Sequence, residues 1–353
     1  MRARFFTKIC SGFLILLLSP GVAQEPYRMG TTGASFLEIG YGSAGISMGD
    51  AYVTMARDLS AVYWNPAGLG FLRQNEMQLM IQPWLADIDM ALVGVAVVYP
   101  RMGSFAFSVL SVSYGGEPVT TVTNQEGTGE FFDGQDYSIN FSFARRFVDW
   151  FSFGLTGKYI ISSIYDMKAS AIAMDMGAIV HTEFFNSTGK VEDGLTIGMS
   201  ISNYGNRMQY DGIRLNNMHD MAPDEYGNYQ YSLSRYELVH WELPLIFRLG
   251  LAVHPVNTLH HRITAAVDAL HPNNNSEYVN VGGQYQLYVP GTGRFSLRAG
   301  YKGLFMVDSE YGMTFGAGME LHRVGNNALI LDYAYRDIGL LGGTHAYTIR
   351  MVF

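Results

Sequence analysis

The residues with chemical potential are few, and their settings decide what they can do. Gly45-Ile46-Ser47-Met48-Gly49 has the Gly-x-Ser-x-Gly pattern of a nucleophile elbow. That chemistry needs a preceding core strand, a following helix and later Asp and His partners. Here the pattern lies in a glycine-rich stretch, where chance produces it readily. A Ser–His pair on a lipid-facing strand is a more serious catalytic option. His345 falls on the apolar face of the last strand, but no serine nucleophile is evident near it. A histidine there is equally at home near a membrane interface with its polar tip wet. His219 and the pair His260-His261 lack the spacing of a zinc site. The stretch from Asp211 to Asn228 carries Asp220, Asp224 and Glu225 with Asn216 and Asn217. Calcium or a lipopolysaccharide-bridging cation could bind such a loop. EF-hand spacing is absent, however, and acidic loops are usually just solvated. Neither catalysis, nor a metal site, nor a cofactor is expected.

A second set of charges is ordered by position. Arg248, Asp268, Arg298, Glu320, Asp332 and Arg350 each fall on the face of a strand opposite its apolar residues, as do Lys158, Asp175, Lys302 and Arg336. Mixed signs favour internal pairing over an ion-selective pore, in which one sign dominates. The expected pairs are Arg298 with Glu320, Asp332 with Arg350, and Arg248 with Asp268, each worth roughly 0.2–1 kcal/mol across neighbouring strands.

Those charges require strands to position them. In the last ten residues, His345, Tyr347, Ile349, Met351 and Phe353 share one face, and Thr344, Ala346, Thr348, Arg350 and Val352 the other. Side chains alternate along a strand, so one face is mostly apolar and one mostly polar. The same alternation marks Phe295 to Lys302, Met313 to Leu321, Leu329 to Arg336, Leu245 to His254 and Tyr137 to Ala144. It predicts fourteen strands near 76–84, 88–99, 103–114, 135–147, 151–163, 168–181, 193–203, 241–254, 261–270, 277–289, 293–304, 312–321, 327–336 and 343–353. In a transmembrane barrel the apolar face meets lipid and the polar face the lumen. The connections alternate too. Pro100-Arg101-Met102, Val148-Asp149-Trp150 and Pro290-Gly291-Thr292 are short, whereas loops near 115–134 and 204–240 are long and fall on the other side. Outer-membrane barrels keep their short turns on the periplasmic side. The terminal Phe353 resembles the C-terminal assembly signal of bacterial outer-membrane barrels.

Composition agrees. Hydrophobic residues make up 48% and charged residues only 15%, with 40 Gly, 23 Tyr and 21 Phe, yet no long apolar run follows the first residues. At the start, Arg2, Arg4 and Lys8 precede an apolar core Phe13–Leu18 and the small residues Gly21-Val22-Ala23. This reads as a secretory signal peptide over residues 1–23. It contains the chain's only cysteine, Cys10, so no disulfide is expected afterwards. The net charge of −8 becomes more negative once those basic residues are removed, which argues against a nucleic-acid partner.

Residues 24–74 do not alternate. Ser43 to Asp58 is rich in small residues, and Pro66 forbids helix and pushes Asn65 to extended geometry, so Asn65–Gly68 reads as a turn. A small-residue segment ahead of a barrel (residues 75–353) has one natural place, inside it as a plug. Gly49-Asp50-Ala51 and Tyr63-Trp64-Asn65-Pro66-Ala67-Gly68-Leu69 resemble the start of the PorV/PorQ family, which is similar to FadL-like fatty-acid transporter barrels. The resemblance implies a fourteen-stranded barrel whose N-terminal hatch carries the Asn65-Pro66-Ala67 motif. That motif also serves simply as a turn closing the hatch onto the first strand. The reading is thus an all-β protein: an antiparallel transmembrane barrel with an N-terminal plug, in the bacterial outer membrane, surrounded by its lipid. Two functions remain open. One is a membrane component or shuttle of type IX-like protein secretion, with a secreted or surface protein as partner. The other is a FadL-like transporter or binder of hydrophobic small molecules.

Overall fold

Hydrocarbon offers no water to an unpaired N–H or C=O, so strands that cross it must close into a ring. The computed structural model describes residues 28–186, 188–225, 232–322 and 327–353 and shows such a ring. The expected signal peptide and Cys10 lie outside the described residues. The strands are β1 (Glu76–Pro83), β2 (Asp89–Tyr99), β3 (Gly103–Pro118), β4 (Phe131–Val148), β5 (Phe151–Ile164), β6 (Met167–His181) and β7 (Thr196–Gly205). Three short ones follow in one loop: β8 (Asp211–Gly212), β9 (Asn216–His219) and β10 (Ser232–Arg235). The wall resumes with β11 (Ile246–Asn257), β12 (His261–Pro272), β13 (Tyr278–Val289), β14 (Gly293–Leu304), β15 (Met313–His322), β16 (Ala328–Asp337) and β17 (Gly343–Val352). Of the 15 strands in the large sheet, the two-residue β8 is a rim appendage on β6, which leaves fourteen in the wall. Neighbours in the wall are antiparallel, β7 passes to β11, and β1 closes on β17 with Glu76 opposite Val352. Phe353 extends that seam, exchanging two backbone hydrogen bonds with Asn75 at 2.9 and 3.1 Å.

The alternation of the sequence is the alternation of the wall. In β17, Thr344, Ala346 and Thr348 are buried, while His345, Tyr347, Ile349 and Met351 face out. In β6, Ala169, Ala171, Ala173 and Asp175 point inward, and Ile172 between them is 67% exposed. Small and polar side chains therefore line much of the interior, joined by aliphatic ones such as Met80, Leu92, Leu110 and Ile160, and the outward aliphatic and aromatic ones meet lipid.

Several boundaries shift: the strand expected to end at 114 runs on to Pro118, the one expected from 135 begins at Phe131, and the one expected from 193 begins at Thr196. The strand expected from 241 begins at Ile246, because Pro244 has no N–H to give a ladder. The loop expected over 204–240 is not featureless. β9 and β10 pair as a two-stranded ribbon, Ser232 opposite His219, and β8 caps β6.

Leu331 lies on the outward face of β16. A charge there costs about 2–4 kcal/mol at mid-bilayer. Leu331→Arg should remove the fast-migrating folded band of an unboiled outer-membrane sample, and Leu331→Met should retain it. A normal folded band for the arginine variant would contradict the lipid-facing assignment.

Candidate functional site

The interior is occupied by the segment that does not alternate. It is tied at the extracellular rim, where Gly33 N–H donates to the Glu242 carbonyl at 2.8 Å and Asn274 Nδ2 donates to Thr32 Oγ1 at 2.9 Å. From there it descends through a 3-10 turn (Ser35–Glu38), two short helices (Ser43–Ser47 and Ala61–Trp64) and a 3-10 turn (Pro66–Phe71) to the start of β1. Every residue from Gly40 to Leu69 is buried except Met55 and Arg57, which are partly so.

Such a segment has too few internal hydrogen bonds to satisfy its backbone, and buried polar groups need partners. The inward side chains of the wall supply them. Thr348 Oγ1 accepts from Ser43 N–H at 3.1 Å, and Asp268 accepts from Val53 N–H at 2.9 Å. Ser200 donates to the Trp64 carbonyl at 3.0 Å, Ser152 to Ala67 at 2.8 Å, and Thr314 to Ser47 at 3.2 Å. Close approach of backbone to wall is made possible by inward glycines. A Cβ at Gly154 or Gly177 would overlap Pro66 or Asn65, and one at Gly282 or Gly300 would overlap Met48. Gly94 and Gly316 give the same clearance to Leu59 and Ser47.

The turn at Asn65-Pro66-Ala67 is built as the sequence suggests and then docked. Asn65 is extended, with φ −165°, and Pro66 starts the 3-10 turn, where its missing N–H costs nothing. The Asn65 carbonyl oxygen Oδ1 accepts from Ala67 N–H at 3.1 Å, capping that turn. Its Nδ2 donates to the carbonyls of Val53 at 3.0 Å and of Ala178 on β6 at 3.1 Å. One side chain thus joins the turn, the segment and the wall.

The inward charges pair, but not all as expected. Arg350 approaches Asp332 at 3.4 Å. Arg298 pairs with Asp332 at 2.7 Å instead of Glu320. It is opposite Gly316 and its guanidinium crosses Gly318, where the absence of a side chain leaves room to reach β16. Glu320 is opposite Arg294, which donates to it at 3.0 Å near the periplasmic rim. Arg248 and Asp268 form no ion pair. Asp268 is opposite Gly250 and engages Val53, while Arg248 donates to Ser202 at 2.6 Å and lies 5.0 Å over the Tyr63 ring. Two further acids come from the interior segment. Asp50 binds Lys302 at 2.8 Å and Arg336, and Asp58 binds Arg350 at 3.2 Å. No strand pattern announced them, since the inward faces of the wall carry carboxylates of their own at Glu76 and Asp136. Phe353 sits at the β1–β17 seam, three residues beyond the inward Arg350. The elbow-like Ser47 donates to the Ala44 carbonyl at 2.9 Å, not to a histidine, and His345 meets Tyr333 Oη at 2.9 Å on the outer face.

Asp50 is 3% exposed and adopts a left-handed conformation, φ 64°, which Asn also tolerates. Asp50→Asn therefore removes charge without changing backbone preference. It leaves Lys302 and Arg336 buried without their carboxylate, a loss on the order of 3–5 kcal/mol. The variant should unfold at distinctly lower temperature, read by the loss of the fast-migrating band on heating. An unchanged transition would mean that the pair contributes nothing net.

Comparison with known proteins follows this geometry. No curated protein sequence matches the chain. Among solved structures, a Pseudomonas aeruginosa FadL homologue aligns with a TM-score of 0.52 at 11% identity, over 93% of this chain and 99% of that one. The Ralstonia pickettii toluene transporter TbuX aligns with 0.53 at 11% identity, over 89% and 97%. The Pseudomonas putida toluene transporter TodX gives 0.52 at 11% identity, over 89% and 97%. At these identities the likeness concerns the fold, an outer-membrane barrel. The model of the type IX secretion system protein PorV matches residues 22–245, well over half of the sequence, and the chain belongs to the PorV family of outer-membrane barrels.

Proposed function

We propose that the protein is a membrane component of type IX-like secretion that holds a secreted or surface protein through its extracellular rim while its own lumen stays filled. The observation that carries this reading is the rim between β7 and β11. Ile213 is 72% exposed, Met221 70% and Val239 70%, with Met218, Leu233 and Tyr236 exposed beside them. The β9–β10 ribbon, which carries Met218 and Leu233, and the loop around it present these side chains outside the bilayer, where apolar groups have no lipid to cover them. A concentration of exposed apolar residues of this kind marks an interaction surface. The filled interior supports the same reading, since a carrier of proteins does not need a passage through its own barrel.

A second reading has one observation in its favour. At the extracellular mouth a cavity of about 400 Å³ is lined by Ile88, Tyr114, Phe132 and Ile164, with Asp136 hydrogen-bonded to Tyr114 and Ser162. Apolar walls with a few polar groups suit a small hydrophobic ligand.

The two readings respond differently to the same variants. For a secretion component, deleting 209–240 should abolish co-purification of protein partners from detergent-solubilised outer membrane, and Asn65→Ala should leave it intact. For a hydrophobic transporter, Asn65→Ala should change toluene uptake by whole cells while the folded barrel persists. Partner recovery that survives the loop deletion would overturn the rim assignment.

A further inference from the structure

The periplasmic half of the lumen holds a cavity of about 170 Å³ between the interior segment and strands β11 to β14. This is far more than the roughly 10–15 Å³ that one water requires. Its lining is dominated by hydrogen-bond donors. Arg57 and Thr54 come from the interior segment, His254 and Arg262 from β11 and β12, Arg298 from β14 and Arg350 from β17. Among the described residues, Asp58 is the one acid in the lining.

The arginines are not equivalent. Arg298 and Arg350 are engaged by Asp332 and Asp58. Arg262 has Asp193 at 3.5 Å and keeps 30% of its side chain exposed. Arg57 differs from all of these: among the described residues, no carboxylate lies within ion-pair distance of it. Its guanidinium is 3.3 Å from His181 Nε2 and 5.1 Å from the centre of the Phe71 ring, and neither neutralises it. An anion beside it would supply a counter-charge that the described residues do not place within ion-pair distance.

Two further groups point to a ligand. Thr54 is 1% exposed and His254 7%, both line the cavity, and among the described residues Thr54 Oγ1 and His254 Nε2 have no hydrogen-bond partner. His254 Nδ1 lies 3.0 Å from Thr264 Oγ1. The tautomer in which Nδ1 accepts the Thr264 hydroxyl leaves Nε2–H as a donor. A guanidinium, a hydroxyl and an imidazole N–H converge from different walls. That arrangement suits a ligand with several acceptor oxygens. The positive lining disfavours a metal cation. Only Tyr52, Met55 and Ala252 bring carbon surface, so an acyl chain or aromatic hydrocarbon has no apolar trough to occupy.

We propose that this cavity binds a small phosphate-like oxyanion from the periplasmic side, held by Arg57 and Thr54 of the interior segment and by Arg262 and His254 of the wall. The anion then fastens the lower end of the segment to β11 and β12. The phosphate group could be a free ion or the monoester headgroup of a short lipid, and the two share this chemistry.

The test uses the full-length barrel purified in detergent in Tris chloride, titrated calorimetrically with sodium phosphate. Saturable binding at one ion per chain is expected. It should weaken at least tenfold in Arg57→Gln and several-fold in Thr54→Val, and stay unchanged in Arg73→Gln, an exposed arginine at the same rim. Dihexanoyl phosphatidate binding more tightly than phosphate would support the headgroup form, and binding of phosphate alone the free ion. Because Arg57→Gln could fail to fold, hydrogen exchange of the wild-type amides over 52–58 provides a second readout, and phosphate should slow it. No saturable heat with either ligand together with unchanged exchange would overturn the proposal. So would an Arg57→Gln barrel that is folded and binds phosphate as the wild type does.

Discussion

A bilayer supplies no water to the backbone, and most of this structure follows from that constraint. It forces the fourteen strands to close, with β1 on β17, and sorts side chains by parity. Closure creates an interior lined by small and polar groups, such as Ser152, Ser200, Thr314 and Thr348. Part of that interior packs as a hydrophobic core, with Leu59, Trp64 and Leu69 of the segment clustered with Met80, Leu92 and Ile160 of the wall. Elsewhere the segment offers backbone and carboxylates, and the hydroxyls and arginines of the wall are the complementary half of those contacts. Wall and filling are therefore one hydrogen-bonding system. The three-way hold of Asn65 on Val53, Ala67 and Ala178 is its most compact instance.

The wall was legible in the sequence because a period of two is a strong signal when one face meets lipid. The inward placement of Arg298, Asp332 and Arg350 needed nothing more than parity. Their partners needed geometry. Arg298 passes over Gly318 to Asp332 on β16, bypassing Glu320 on its immediate neighbour, and no linear pattern encodes a reach across two strands. Asp268 illustrates a second limit, for its partner is the backbone of Val53, a group identical at every residue. The acids of the filling, Asp50 and Asp58, were not readable from the wall, which already carries inward carboxylates such as Glu76 and Asp136. Inward glycines such as Gly154, Gly177 and Gly282 look like breaks in the alternation, yet they mark where the interior segment touches the wall.

Family membership and fold likeness bear on different parts of the molecule. The FadL homologue and the toluene transporter TbuX share the barrel at about a tenth of positions identical, which speaks to the wall. The PorV match runs from the interior segment through β1 to β7 and into the rim loop that carries β8 to β10. The rim and the interior are also where this chain concentrates features that a wall alone would not require: exposed Ile213 and Met221 above, and the arginine-lined cavity below.

The path of the interior segment has a topological consequence. The chain is held at the outer rim near Gly33, crosses the whole lumen, and joins β1 at the inner rim. It is threaded through the ring that its own continuation forms. A ring already shut could acquire this arrangement only by drawing a free end lengthwise through a passage with no spare room. Wrapping the wall around the segment avoids that passage. The order of events in assembly is thus constrained by connectivity: the ring must still be open at one of its edges when it wraps the segment, and the filling precedes the closure.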